Sequence, residues 1–201
     1  MNGNKRKTFL TIGGSVVILL FLVYGIFRAS SQSFKLPDSF ITARDEASRI
    51  SQEIVDLTNQ TNEIIKEANV SDLAGDRKNE TVFLINKARQ INNKAYDKAF
   101  ELSLAVQKMA EVLSEIKNRQ VQQIAYEAIS LELALISDFI VYTQRLNQFF
   151  DFLTNAVLTN KKADRQATAS ALEEVNEKIR SVNNLNQEFL KKMAELNSFN
   201  K

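Results

Sequence analysis

Between Ile26 and Lys201 the chain holds one proline, Pro37, and one glycine, Gly75. Sheet proteins reverse direction often, and their turns draw on these two residues for a fixed or a positive φ. A stretch so poor in both is written for long helices. The apolar pattern agrees. Phe40, Ala43, Ala47, Ile50, Ile54, Leu57, Thr61, Ile64 and Ala68 follow one another at alternating spacings of three and four, the seam of a supercoiled helix. Asp38 or Ser39 is placed to cap its start, and Gly75 to supply the left-handed residue after its end.

Three more seams follow. The second runs Leu84, Ala88, Ile91, Ala95, Ala99, Leu102, Val106, Met109, Leu113, Ile116, with one extra step of four between Ala95 and Ala99. The third runs Val121, Ile124, Ala128, Leu131, Leu135, Phe139, Tyr142, Leu146, Phe149, Leu153, Ala156, with consecutive fours from Leu131 to Phe139. Such steps are stutters. If the chain reverses at Asn118, Ala99 faces Ser137 and both stutters fall at one level, which favours a hairpin over a rod running through residue 118. Asn118 is expected to take the left-handed conformation there, since Asn tolerates it. The fourth seam runs Leu172, Val175, Ile179, Val182, Asn186, Phe189, Met193, Leu196, after a polar break at residues 159–162. The pattern predicts an all-α fold in which helices over 38–74, 77–117, 119–158 and 162–199 form an up-down-up-down antiparallel four-helix bundle spanning residues 38–201.

Ahead of the bundle, Thr8–Phe27 is a 20-residue stretch without a charge, long enough at about 1.5 Å per residue to cross the hydrocarbon of a bilayer once. Residues 1–7 form a basic tail with Lys5, Arg6 and Lys7, and residues 28–37 form a linker with sparser charge. That asymmetry predicts a cytoplasmic N-terminus and an extracytoplasmic bundle. An apolar core this long, followed directly by Arg28, fits an uncleaved signal-anchor better than a cleaved signal peptide. The lipid bilayer is thus the expected partner of residues 8–27.

The chain has no Cys and no His, which removes disulfides, thiol nucleophiles, His-based acid–base catalysis and the usual zinc ligand sets. No glycine-rich phosphate loop or calcium loop is present, so no cofactor or metal is expected. All 24 acidic residues lie from Asp38 onward, whereas five of the 26 Lys and Arg precede it, so residues 38–201 carry 21 cations against 24 anions. That balance argues against nucleic acid as a partner.

Two surface features stand out as candidates. Beside its seam the third helix carries a second apolar stripe, Tyr126, Ile129, Leu133, Ile136 and Ile140, which widens the core face, offers a surface for a second copy or a partner helix, or lines a slender internal pocket for an apolar ligand. Glu127, Glu132 and Asp138 interrupt this segment too often for a second membrane crossing. At the far end of the bundle Arg77, Lys78, Lys161, Lys162 and Arg165 form a candidate basic patch if the two loops there are adjacent, with Asp72, Asp76, Glu80 and Asp164 at the same end.

In architecture, one anchor followed by an extracytoplasmic four-helix bundle resembles the sensor portion of bacterial chemoreceptor-type proteins. The likeness implies a ligand-sensing or carrier bundle, although this chain ends at Lys201 with no second membrane helix or output helices. The residues themselves favour a non-enzymatic interaction or scaffolding module of the cell envelope.

Overall fold

The computed structural model describes residues 37–68 and 77–199, which form four long α-helices: α1 (Asp38–Glu67), α2 (Lys78–Glu111), α3 (Arg119–Thr159) and α4 (Lys162–Ser198). One 3-10 turn, Leu113–Glu115, lies between α2 and α3. No strand occurs among the described residues, so the fold is all-α. The basic tail, the uncharged stretch 8–27, residues 28–36 of the linker, Gly75 and Lys201 lie outside them. Among the described residues no helix is long and apolar enough to cross a membrane.

Polar cross-links set the direction of each helix. Between α1 and α2, Lys98 Nζ meets Glu53 at 3.0 Å, and Ser39 Oγ donates to Glu115 at 2.7 Å just past the end of α2. Arg89 meets Asp151 at 2.7 Å between α2 and α3, while Asn92 Nδ2 donates to the Thr143 carbonyl at 2.8 Å. Between α3 and α4, Glu127 pairs with Lys192 at 2.7 Å, Asp138 with Lys178 at 3.1 Å and Arg145 with Glu174 at 3.0 Å. In every set the residue number rises on one helix as it falls on the other, so consecutive helices run antiparallel in a four-helix bundle. The α2/α3 pairs place Ala99 level with residues 136–141, an interval that includes the expected Ser137, but Ser137 is exposed whereas Ala99 is buried, so the two side chains do not face each other. Packing follows chain order, α1 on α2, α2 on α3 and α3 on α4, and the outer helices α1 and α4 share no extensive face.

All four helices nevertheless feed one hydrophobic core. The second and third seams are buried throughout, except that Ile91 and Leu131 are half-buried. α3 buries three columns spaced by seven residues, headed by Val121, Ala125 and Ile129, because it packs against α2 on one flank and α4 on the other. Phe139, Phe149, Phe150 and Leu153 are each at most 2% exposed, and full burial of such side chains contributes about 1.5–3 kcal/mol apiece.

The helix ends differ from expectation in three places. Pro37, not Asp38 or Ser39, occupies the N-cap position of α1, without a side-chain cap; Asp38 instead sits in the first turn, where a carboxylate favours the helix dipole. α2 stops at Glu111 rather than 117. The chain tightens into the 3-10 turn and then extends at Ile116, which lets Leu113 and Ile116 both stay in the core while the chain crosses to α3. Asn118 is extended, with φ −80° and ψ 111°, and its side chain accepts from the amides of Gln120 and Val121 as the N-cap of α3. The left-handed asparagine is Asn160, at φ 55°, which closes α3 by donating its amide to the Ala156 carbonyl.

Candidate functional site

The apolar stripe of α3 divides by depth. Ile129 and Ile136 are 4% and 2% exposed and belong to the core, Leu133 and Ile140 are half-buried and pack against it, and Tyr126 stands 46% exposed. The division follows from helix geometry. Leu133 and Ile140 form one column with Asn147, seven residues per step, at the outer edge of α3 beside α2, while Tyr126, at the head of that column, lines a groove shared with Glu188 and Lys192 of α4.

That edge has a counterpart on α2. Asn147 Nδ2 donates to Asn93 Oδ1 at 2.7 Å across the outside of the α2/α3 seam. One heptad along the same columns, toward the residue-118 end, come Phe100 on α2 and Ile140 on α3; Leu133 follows Ile140, and Leu104, four residues past Phe100, stands off that column on the outer face of α2. Phe100 is 47% and Leu104 58% exposed. Tyr96 stacks edge-on against Phe100 with ring centroids 5.0 Å apart. The outer α2/α3 edge therefore presents aromatic and aliphatic groups to solvent over several turns. Phe100 and Leu104 do not figure among the sequence candidates because they lie off the seam of α2; two bulky apolar residues at an i, i+4 spacing outside that seam were the available signal.

The candidate basic residues do share one end of the bundle. Antiparallel register puts Arg77 and Lys78, at the start of α2, level with the α3–α4 turn that holds Lys161, Lys162 and Arg165. Two of the five have local partners: Arg77 pairs with Glu80 at 2.8 Å, and Arg165 donates to the Asn160 carbonyl at 3.1 Å. Asp164 accepts from Thr159 in the same turn. The Arg77 guanidinium, through its hydrogen bond, holds the Glu80 carboxyl below the usual carboxylate range.

The core also contains buried polar groups among its apolar columns. Asn92, 2% exposed, donates to both the Thr143 carbonyl and Asn147 Oδ1, a satisfied polar layer between α2 and α3. Glu132 is different. Sequence pattern places it among charges that interrupt an apolar stripe, yet it is 1% exposed and its Oε1 has no hydrogen-bond partner. Burial pushes its carboxyl up to about 7. Asn186, 6% exposed in the α4 seam, has an Oδ1 that also lacks a partner. The signal for Glu132 was its seven-residue spacing with Ala125, Phe139, Leu146 and Leu153.

An open groove of about 760 Å³ runs between α3 and α4 near the residue-118 end, lined in part by Arg119, Gln122, Tyr126 and Glu188. Within it Lys192 pairs with Glu127 and, at 3.0 Å, with Glu195. Hydrogen bonds to those two carboxylates raise the Lys192 ammonium above its ordinary range and lower Glu127. No group of three or more His, Cys, Asp or Glu residues is placed to hold a metal ion among the described residues. Comparison with protein-family models, with curated proteins and with solved structures finds no match to this chain.

Proposed function

We propose that this protein is a membrane-anchored, extracytoplasmic helical bundle of the cell envelope that acts as an interaction or scaffolding module, binding a second copy of itself or a partner protein and catalysing no reaction. The observation that carries the reading is the outer face of α2 and its edge with α3, where Phe100 and Leu104 are exposed and Leu133 and Ile140 are half-buried. Large apolar groups gathered on one edge are what a protein interface consumes. The uncharged stretch Thr8–Phe27, with Lys5, Arg6 and Lys7 before it, supports a tether that leaves the bundle outside the cytoplasm.

The test pairs two double substitutions in the full chain, solubilised in detergent. Phe100→Ser with Leu104→Ser abolishes self-association by light scattering, or loses photocrosslinked partners formed from position 100 in cells, while the melting temperature stays that of the wild type. Ile129→Ser with Ile136→Ser instead loses folding first, because both are core residues. Association and crosslinks untouched by the Phe100 and Leu104 changes would sink the reading. For the compartment, protease added to intact cells degrades the bundle; full protection would move it inside.

A further inference from the structure

Glu132 lies in the column Ala125, Glu132, Phe139, Leu146, Leu153, which runs down the middle of the buried face of α3. Two cross-links to α4 bracket it, Glu127–Lys192 on one side and Asp138–Lys178 on the other. The register between them places residues 184–187 of α4 at its level, and within that interval Asn186 alone is buried. α4 has its one extensive face against α3. Two buried oxygens, Glu132 Oε1 and Asn186 Oδ1, thus occupy one layer of the bundle, and neither has a donor. Unpaired acceptors at such a depth are costly and rare in folded proteins. A proton on Glu132 would turn one of the two oxygens into a donor for the other.

We infer that Glu132 is held in the closed bundle as a neutral carboxylic acid whose hydroxyl donates to Asn186 Oδ1, and that this proton is a latch whose release to solvent loosens α4 from α3. Burial is what keeps the acid protonated up to about 7, and no neighbouring charge contributes. The charged groups on the surrounding elements sit at exposed or half-buried edges and engage one another. On α3 and α4 these are Glu127 with Lys192 and Asp138 with Lys178, with Glu188 exposed; on α2, Glu101 with Lys98, and exposed Lys108; on α1, Arg44 with Asp45 and Arg49 with Glu46. No cation among them is directed at Glu132 to stabilise a carboxylate there. In the unfolded chain the same group titrates near its ordinary 4.5, so the folded state takes up the extra proton between about pH 4.5 and 7. The latch is therefore closed on the acid side and released as pH rises to neutrality. It does not depend on the docking edge, and no binding assay enters its test.

Thermal unfolding of the full chain in detergent micelles from pH 5 to pH 8 reads the latch directly. The wild-type midpoint falls by on the order of 5–10 °C between pH 5 and 7.5 and then levels off. Glu132→Gln, uncharged and able to donate from Nε2 to Asn186 Oδ1, keeps its pH 5 midpoint at pH 7.5 and melts above the wild type there; Glu132→Met serves the same comparison if the Gln variant does not fold. Parallel pH curves for wild type and variant overturn the proposal. Amide exchange corrected for its intrinsic pH dependence locates the change: residues flanking 132 and 186 exchange faster at pH 7.5 than at pH 5.5 in the wild type only. Loosening confined to α1 counts against the α3/α4 assignment. A wild-type Glu132 carboxyl ¹³C resonance titrating in the ordinary glutamate range overturns the proposal whichever variants fold.

Discussion

Asparagine performs three separate tasks here, at Asn92, Asn118 and Asn160, and the distinction lies in which backbone groups are left unpaired nearby. Asn118 precedes the free amides of a helix start and accepts from two of them; Asn118→Ala should cost about 1 kcal/mol in chemical denaturation. Asn160 follows the last turn of α3 in the left-handed region, where a β-branched side chain is strained. Asn160→Gly should therefore leave stability within a few tenths of a kcal/mol of wild type, whereas Asn160→Val should cost on the order of 1–2 kcal/mol. Both residues read as breaks from the sequence, but Asn suits either job, so the left-handed role was assigned to the wrong one. Glu132 was hidden for a related reason: a carboxylate between apolar columns reads as solvated until the helix is known to bury three columns instead of two. Raising its carboxyl from 4.5 to about 7 corresponds to roughly 3 kcal/mol of stability, present below the unfolded value and lost as pH climbs to the folded one.

Helices are the scale at which the sequence was most informative. Spacings of three and four predicted four elements, and the two stutters pointed to the reversal at residue 118 and to the α2/α3 register within about a turn, though not to the residues that face each other. What spacing could not supply is how tightly each helix is held. α3 is flanked on both sides and buries Phe139, Phe149 and Phe150; Phe139→Ala should destabilise the protein by about 3–5 kcal/mol in a denaturant melt. α1 packs extensively on α2 alone, and Ser48, Ser51, Thr58 and Thr61 occupy buried positions on it where apolar groups would contribute more. Native-state amide exchange should accordingly show α1 opening at a lower free energy than α3, through a partial unfolding that leaves the other three helices protected. Equal protection across all four helices would contradict this picture.

For the molecule as a whole, periodicity identifies what is buried and is silent about what the outside presents. The seam of α2 therefore marks its core and leaves out Phe100 and Leu104, which lie on its exposed outer side. The antiparallel order also fixes where the described chain begins: Ser39 bonds to Glu115, so the start of α1 lies at the same end as the turn into α3. If the stretch before Pro37 is a tether and the α2/α3 edge is gripped by a partner, any tension between the two enters α1 at that end. Because α1 runs opposite to α2 and packs extensively on it alone, such a load would peel it off one layer at a time instead of shearing every layer together. A pull of this kind breaks contacts in sequence and needs little force, so α1 would yield as a mechanical fuse while the rest of the bundle stayed folded.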